Sequence, residues 1–371
     1  MGDKASPRLI EDVVHAGLCT LCGACVKLCP YLRVNPRAGE IRRIDECNLA
    51  LEDGRCYAFC PRTSLDLTAL SHAVFGVPYA SGDVGEARKV ALMRSLDPQI
   101  AARAQYGGVT TTLLIVALEL HLVDALVLTK SEQLMPEPTI ATTREEVLAC
   151  AGTNFIMCPV LEAYNVAARG SATRIGVVGV PCQMQALAKR RTVGFEGSNN
   201  VGKLALTIGL FCTWAFERTF FDFVAKRVDP SRIRKTDIPP HPADAFLIYT
   251  DDTVISIPLA EVREHIQPAC NSCIDMTAEF ADVSVGAPRG IEGWNTVIVR
   301  SEVGEELIAG AEHLGLLEVR PLPEERVSNL KRAAKRKKQR AVKHLGAQVD
   351  SNDNLGYLKM PSGVLENLDR D

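Results

Sequence analysis

Four cysteines within an eleven-residue stretch constrain this chain more than any other feature of its sequence. They are Cys19, Cys22, Cys25 and Cys29, and Pro30 follows the last, which gives the spacing C-x2-C-x2-C-x3-C-P. Three thiolates on one tight loop suit three iron corners of a cubane, and the small residues Gly23 and Ala24 let the backbone approach the sulfides. Zinc is the alternative, but structural zinc sites use two separated cysteine pairs. The spacing therefore predicts an iron–sulfur site.

A second, incomplete cysteine group follows downstream. Cys56-x3-Cys60-Pro61 repeats the end of the first motif, Cys47 lies upstream, and Asp53 stands where a further cysteine is expected. In two-cluster ferredoxins the fourth cysteine of each motif ligates the other cluster. By that pattern, one cluster takes Cys19, Cys22, Cys25 and Cys60. A second takes Cys29, Cys47 and Cys56, either with Asp53 as fourth ligand or as a three-iron cluster; loss of this cluster is the other alternative.

The composition excludes several classes of protein and partner. The chain has 13 cysteines in 371 residues, and its N-terminal sequence MGDKASPRLIEDVV carries acids without an apolar segment, so we expect no secretory signal and reduced thiols. A net charge of −3 predicts no nucleic-acid partner. The longest apolar stretch, 110–129, is interrupted by Glu119, His121 and Asp124, which predicts no transmembrane segment. We expect a cytoplasmic protein, or one held at a membrane through a complex.

The distribution of cysteines and hydrophobic runs predicts three regions. Residues 1–80 form a ferredoxin-like iron–sulfur domain, and a Gly/Pro/Ser-rich linker lies near 74–85. Residues 86–330 alternate helical patterns with short apolar runs at 122–128, 174–180, 204–210 and 296–300, which is typical of an α/β domain with a parallel or mixed sheet. Residues 331–371 are a basic and then acidic tail, predicted to be a solvated helix end or a docking surface for an acidic partner.

Four cysteines of the large region form a candidate site that spacing alone does not decide. They are Cys182, Cys212 and the pair Cys270-x2-Cys273. Zinc binding and simple burial are both compatible with this spacing. Cys182 and Cys212 each follow an apolar strand-like run, so we expect them at one edge of the sheet, where sites in α/β folds usually lie.

The pair Gly107-Gly108 is typical of a turn that opens a helix. Backbone N–H groups at such a helix start suit a phosphate or the edge of a flavin ring, although a purely structural turn is the alternative. The chain has no G-x-G-x-x-G sequence after a first strand, so a Rossmann NAD site is not supported. It also shows no hydrolase triad pattern and no phosphate loop of the G-x4-G-K-[ST] type.

An ordered series of motifs across residues 85–330 resembles a known family. These motifs are Gln105-Tyr-Gly107-Gly108-Val-Thr110, Ala141-Thr-Thr-Arg-Glu-Glu, Ala151-Gly152-Thr153-Asn154, Gly179-Val-Pro181-Cys182-Gln183, Gly209-Leu-Phe211-Cys212, Cys270-x2-Cys273, Ala281-Asp282-Val-Ser-Val-Gly286 and Gly293-Trp294-Asn-Thr296-Val-Ile-Val-Arg300. Together they resemble the beta subunits of coenzyme F420-dependent hydrogenases and dehydrogenases. Many members of that family carry a fused ferredoxin-like segment, as this chain does.

The resemblance implies a fold, cofactors and a reaction. It implies an α/β (α+β) flavin-binding domain with a mixed sheet, which holds FAD and a [4Fe–4S] cluster on Cys182, Cys212, Cys270 and Cys273. Flavin contacts are implied for Gly107, Gly108, Val109 and Thr110 and for Gly152, Thr153 and Asn154. Coenzyme F420 would exchange a hydride with FAD, and single electrons would pass through the clusters to a partner subunit.

The sequence leaves several alternatives open. The same scaffold is compatible with another electron carrier such as ferredoxin or NAD, and with a non-catalytic subunit that only conducts electrons. The partner subunit is expected to bear a hydrogenase, formate dehydrogenase, heterodisulfide reductase or quinone module.

Overall fold

The structure is a computed structural model that describes residues 3–80, 83–195, 201–239, 244–346 and 354–369. Residues 81–82 of the predicted linker, and residues 347–353 and 370–371 of the predicted tail, lie outside these ranges. None of the described helices is both long and apolar enough to cross a lipid bilayer.

Helices and strands alternate along most of the chain. The α-helices are α1 (Ala5–Leu9), α2 (Arg55–Ala58), α3 (Leu67–Phe75), α4 (Pro98–Arg103), α5 (Val109–Glu119), α6 (Arg144–Ala149), α7 (Leu161–Ala167), α8 (Pro181–Thr192), α9 (Phe220–Ala225), α10 (Leu259–Arg263), α11 (Glu302–His313), α12 (Glu324–Gly346) and α13 (Ser362–Asp369). A π-helical turn, Ile10–His15, continues α1, and short 3-10 helices span Val201–Lys203, Pro230–Arg232 and Pro268–Ser272.

Within the described residues, the strands form one large sheet and three small ones. They are β1 (Leu32–Asn35), β2 (Glu40–Arg43), β3 (Leu65–Asp66), β4 (Lys89–Ser95), β5 (Ala125–Glu132), β6 (Met135–Ala141), β7 (Ile175–Gly179), β8 (Leu204–Leu210), β9 (Lys235–Asp237), β10 (Ala245–Tyr249), β11 (Val254–Pro258), β12 (Val283–Gly286), β13 (Asn295–Val299), β14 (Leu317–Pro321), β15 (Asn354–Leu355) and β16 (Leu358–Lys359). The large sheet has the order β14-β4-β13-β12-β8-β7-β5-β6.

This large sheet is mixed, as the sequence predicts. Strands β5, β7, β8 and β12 run parallel, whereas β13 is antiparallel to β12 and to β4, and the edge strands β14 and β6 are antiparallel to their neighbours. Strand β4 therefore has the same direction as β12. The carboxyl ends of β4, β12, β8, β7 and β5 consequently lie at one edge of the sheet, which we call the carboxyl edge.

The predicted strands agree with the observed ones except at one start. The runs at 174–180, 204–210 and 296–300 correspond to β7, β8 and β13. The run at 122–128 begins too early, because Asp124 accepts hydrogen bonds from the backbone N–H groups of Thr173 (2.8 Å) and Arg174 (3.1 Å) and so closes a turn. Strand β5 begins at Ala125, three residues after the predicted start at 122.

The cysteine-rich N-terminal segment is built into the large domain. Its apolar core includes Leu9, Val13 and Leu32, and it is completed by Met157, Cys182 and Ala215 of the sheet domain. The Asn165 side chain of α7 donates to the backbone carbonyls of Ala24 (3.1 Å) and Val26 (2.7 Å) in the cysteine loop. Contacts of this kind cross the boundary predicted near residue 80.

The basic segment 331–343 differs from a solvated helix end. It lies in the 23-residue helix α12, and Ala334, Lys337, Lys338, Ala341 and Leu345 form a buried stripe at helical spacing. Lys338 forms a fully buried ion pair with Glu279, which also accepts a hydrogen bond from the Tyr79 hydroxyl at 2.7 Å. Burial raises the pKa of Glu279, and the Lys338 charge opposes that rise. Strand β16 also pairs with β3, so the C-terminal region joins the N-terminal one.

We expect Glu279→Gln to lower the free energy of unfolding by about 3–5 kcal/mol, because it leaves the buried Lys338 ammonium without its anion. Urea unfolding followed by circular dichroism measures this change. Asp251→Asn is the matched control, since it breaks the exposed Arg234–Asp251 pair and is expected to change stability little. Equal midpoints for the Glu279→Gln protein and the wild type would contradict the role of this pair.

Candidate functional site

The cysteines predicted for one N-terminal cluster are gathered in the structure. Cys19, Cys22, Cys25 and Cys60, called the first set, line one cavity together with Arg62. Burial raises the pKa of the Cys19 thiol to about 12 and that of Cys60 to about 11, and the neighbouring thiols of the set add to both rises. The four thiols therefore lie close to one another, with Cys22 buried and the other three half-buried, which suits a cluster held by this set.

Backbone geometry and a buried arginine fix the first set. Gly23 has φ +85°, and a Cβ atom there would lie 2.4 Å from the carbonyl oxygen of Pro159, so only glycine fits. Arg190 of α8 donates to the Ala24 carbonyl at 2.9 Å and to Asn165 Oδ1 at 2.7 Å. The Gln267 side chain donates to the Cys19 carbonyl at 2.7 Å. The cysteine loop is thus held by residues far along the chain.

Cys29, Cys47 and Cys56, called the second set, form the next group. A hydrogen bond between Cys29 and Cys56 lowers the pKa of the Cys29 thiol to about 6 and raises that of Cys56 above its usual range, so the two sulfur atoms are in contact. Cys47 lies close enough for its charge to add to the rise at Cys56. Asp53, the predicted fourth ligand, is an exposed residue in the turn before α2, and its backbone N–H donates to the Ala50 carbonyl at 3.2 Å.

The remaining predicted ligands meet at the carboxyl edge. Cys182, Cys212, Cys270 and Cys273 are called the third set; Cys182 follows β7, Cys212 follows β8, and the other two flank the end of the 3-10 helix Pro268–Ser272. Burial raises the pKa of the Cys182 thiol and raises that of the Cys212 thiol to about 12. The nearby Cys273 raises both pKa values further. The expectation that the two lone cysteines lie at one edge of the sheet agrees with this arrangement.

Helix α12 contributes a lysine to the third set. The Lys337 ammonium is buried and donates to the Cys212 carbonyl at 2.6 Å. Burial alone lowers the pKa of Lys337, but the thiols of Cys273, Cys212 and Cys270 outweigh it and raise the pKa. A segment expected to be solvated therefore supplies positive charge to a buried sulfur site.

The first set adjoins both of the other sets. The charge of Cys25 contributes to raising the pKa of Cys56 in the second set. Cys22 contributes in the same way to the raised pKa of Cys182 in the third set. The first set therefore connects the second set to the third, which lies at the carboxyl edge.

The donor chemistry of the sets fits iron–sulfur clusters. Thiolate sulfur is the ligand that iron–sulfur clusters prefer, and two of the sets have four cysteines each. Within the described residues, no three His, Cys, Asp or Glu side chains are close enough to hold one metal ion. A cubane separates its ligands across four iron corners, whereas a single zinc ion draws its thiolates to about 2.3 Å.

The predicted flavin residues Gly107, Gly108, Val109 and Thr110 also lie at the carboxyl edge. The Gly107 carbonyl accepts from Ser95 N, at the end of β4, at 2.7 Å. A Cβ atom on Gly107 would lie 2.8 Å from the backbone of Asn295 and of Met93, so its packing requires glycine. Gly108 has φ +71° and directly precedes α5, Asn295 Oδ1 accepts from the Val109 N–H at 3.3 Å, and Thr110 in the first turn is half-buried.

The second predicted flavin segment, Gly152, Thr153 and Asn154, lies near the end of β5. The Asn154 side chain donates to Ser131 Oγ at 2.7 Å and accepts from Ile156 N at 2.7 Å, which fixes the loop. Gly152 has φ +139°, and nothing lies within 4 Å of where its Cβ would be. Strands β13, β12, β8 and β7 separate this segment from Gly107, so the two segments lie apart along the same edge.

Comparison with known proteins identifies the family. Residues 172–325 match the C-terminal part, and residues 90–165 the N-terminal part, of the family described as the beta subunit of coenzyme F420 hydrogenase/dehydrogenase. The beta subunit of coenzyme F420 hydrogenase from Methanosarcina barkeri is 33% identical over 238 residues, which are 62% of this chain and 81% of the relative. The chain belongs to the coenzyme F420 hydrogenase/dehydrogenase beta-subunit family.

Further comparisons agree with the family assignment. The beta subunit of coenzyme F420 hydrogenase from Methanothermobacter thermautotrophicus is 31% identical over 72% of this chain and 97% of the relative. A chain in the solved F420-reducing [NiFe] hydrogenase complex from Methanosarcina barkeri is similar with a TM-score of 0.67 and 29% identity, covering 71% of this chain and 93% of that one. Residues 12–32 match a "4Fe-4S binding domain". The resemblance drawn from the sequence motifs is confirmed, and the chain belongs to a family of oxidoreductase subunits with a 4Fe–4S motif.

Sequence reasoning missed the buried cations around the cysteine sets. Arg62, Lys189, Arg190 and Lys337 are all at most 7% exposed. Lys189 donates to the Cys60 carbonyl at 2.6 Å and to Thr63 Oγ1 at 2.9 Å, and burial lowers its pKa to about 8. For two of these cations the sequence offered a signal. Lys189 and Arg190 follow Cys182 by seven and eight residues, which places them on two neighbouring faces of the same predicted helix.

Removing one third-set ligand is expected to remove one cluster. We expect Cys270→Ser protein, purified without oxygen, to contain about four iron atoms fewer per chain than the wild type. Iron and acid-labile sulfide analysis measures the loss. Cys150→Ser is the matched control, because Cys150 is half-buried and lies outside the three sets. Equal iron in both variants would contradict ligation by Cys270.

Restoring a cysteine at position 53 tests the second set. Because Asp53 is exposed, we expect a three-iron cluster on this set, and Asp53→Cys is expected to add about one iron atom per chain. The measurement is iron analysis with electron paramagnetic resonance of the oxidised protein, in which a three-iron signal should disappear. Asp53→Ala is the control and should keep the signal. Loss of the second cluster in Asp53→Ala protein would instead identify the carboxylate as a ligand.

Proposed function

We propose that the chain is an oxidoreductase subunit in which coenzyme F420 exchanges a hydride with FAD and single electrons pass to a partner subunit. The observation that carries this proposal is that the first cysteine set adjoins the other two, and that the third set lies at the sheet edge where the predicted flavin residues lie. The relatives named coenzyme F420 hydrogenase and F420H2 dehydrogenase subunits support coenzyme F420 as the hydride partner.

The proposed cofactors divide the chemistry between them. FAD, when bound, converts between hydride transfer and single-electron transfer, and iron–sulfur clusters, when bound, carry one electron at a time. The chain has to bind these groups at fixed separations and keep water from them. A side-chain acid or base is not required for this task, which agrees with the lack of a hydrolytic pattern in the sequence.

Two segments are proposed to hold FAD. In the first turn of α5, Asn295 Oδ1 accepts from the Val109 N–H at 3.3 Å, and the backbone N–H groups of the next two residues are proposed to meet a phosphate or a ring edge. At Gly152 the space around the missing Cβ is open, and the backbone conformation favours glycine, so a ligand can approach the main chain closely. Both segments lie at the carboxyl edge, which is the usual ligand position in open α/β sheets.

The cysteine sets are proposed to form the path to the partner. The third set lies at the carboxyl edge and adjoins the first set, which in turn adjoins the second. Exposed residues flank Cys47 of the second set, among them the large apolar side chains Ile44 and Leu49 and the acids Asp45 and Glu46. We expect the partner subunit to bind at this exposed surface near Cys47. We also expect the partner to bear a hydrogenase, formate dehydrogenase, heterodisulfide reductase or quinone module.

Rapid anaerobic mixing tests the proposal. Reduced coenzyme F420 should bleach the flavin of the wild type first and the clusters afterwards, because hydride transfer precedes single-electron steps. In Cys270→Ser protein the delay between the two phases should lengthen at least about tenfold, since one relay centre is missing.

Reduced ferredoxin and NADH serve as comparison donors. If either of them bleaches the flavin and reduced coenzyme F420 does not, the chain uses an electron carrier other than coenzyme F420. Cluster absorbance without any flavin in the purified protein would favour a subunit that only conducts electrons.

A further inference from the structure

Arg62 is a buried cation without a protein acceptor. Its side chain is 2% exposed, and within the described part of the chain none of its three guanidinium nitrogens has a hydrogen-bond partner. Burying a charge in this way is costly unless an anion compensates it. The guanidinium therefore needs a negatively charged partner other than the protein's own polar groups.

The position of Arg62 links two cysteine sets. It follows Cys60 by two residues and lines the cavity of the first set. Its guanidinium stacks on the ring of Tyr357 at 4.6 Å from the ring centre, and the Tyr357 hydroxyl donates to the Ser272 carbonyl at 2.8 Å. Ser272 lies between Cys270 and Cys273, so Arg62 is held between the first and third sets.

The Arg62 guanidinium is close to thiols of both sets. Its charge acts on Cys22 of the first set and on Cys182 and Cys270 of the third. At Cys29 of the second set, the acting cation is Arg33 instead. Arg62 therefore favours negative sulfur in the first and third sets at once.

A second buried polar side chain, that of Gln185, lies near the first and third sets. Gln185 is fully buried, and neither its oxygen nor its nitrogen has a partner among the described residues. Cys182, Gln185 and Lys189 follow one another at three- and four-residue steps, so they share a face of α8. Cys182 belongs to the third set, and Lys189 contacts Cys60 of the first. Unpartnered polar atoms thus collect between these two sets.

The other buried cations at the cysteine sets differ from Arg62. Lys189 and Lys337 each donate to a backbone carbonyl at 2.6 Å, and Arg190 donates to Ala24 and Asn165. Their charges therefore have protein acceptors. Only Arg62 among these four has every side-chain nitrogen without an acceptor within the described residues.

We infer that Arg62 is a positioning residue shared by two iron–sulfur clusters, to whose sulfur atoms its N–H groups donate. This inference rests on the clusters of the proposed function. A cluster becomes more negative when it is reduced, so a fixed positive charge stabilises the reduced form and makes the reduction potential less negative. Because one guanidinium faces both sets, it adjusts the two potentials together.

The test is a redox titration of the full chain followed by electron paramagnetic resonance, with iron content measured on each sample. Arg62→Gln should shift the potentials of the first-set and third-set clusters to more negative values, and Arg62→Lys should shift them less. Arg190→Gln is the matched control, because Arg190 acts on Cys22 and Cys25 and should shift the first-set cluster alone. The third-set signal is assigned as the one that Cys270→Ser removes.

If the Arg62→Gln protein has its full iron content and either cluster keeps its wild-type reduction potential, the inference is overturned, whereas the proposed function is not. If Arg62→Gln protein does not assemble, Arg62→Lys decides, since a shift in both clusters supports the inference and unchanged potentials refute it. Wild-type chain that holds no iron when purified without oxygen would overturn the proposed function as well.

Discussion

Charge balance at buried sulfur is the constraint on which the rest of this structure depends. The cysteines of the three sets come from separate stretches of chain and meet in a low-dielectric interior, where burial disfavours most of their thiolates. Buried cations from separate elements compensate: Arg62 directly after Cys60-Pro61, Lys189 and Arg190 on α8, and Lys337 on α12. Because a thiolate site requires these charges, the helices that carry them are fixed around the sulfur atoms.

The large sheet explains how distant cysteines meet. Parallel strands present their carboxyl ends at one edge, so a residue that directly follows β7 lies near one that follows the neighbouring strand β8. Cys182 and Cys212 occupy such positions, and the 3-10 helix that begins at Pro268 brings the remaining pair to them. The same edge receives Gly107 from the end of β4 and Asn154 from the end of β5.

Local pattern determined what could be predicted from the sequence. The close spacing of Cys19, Cys22 and Cys25 predicted a common site, and apolar runs predicted strands such as β8. Both patterns are contained in short, continuous stretches of sequence. The role of α12 was not predictable in this way. Its buried stripe contains Lys337 and Lys338, which hydropathy counts as solvent-exposed, and their partners, Cys212 and a glutamate before β12, are distant in the sequence.

The merging of the cysteine segment with the sheet domain has a physical reason. A segment of about sixty residues buries a smaller fraction of its surface than a larger domain does, so by itself it is only marginally stable. Here the core of that segment is completed by Met157 and Ala215, and its loop is held by Asn165 and Gln267. The first and third cysteine sets therefore belong to one packed unit. An electron relay needs this rigidity, because transfer between two centres depends steeply on their separation, and a flexible linker would let that separation vary.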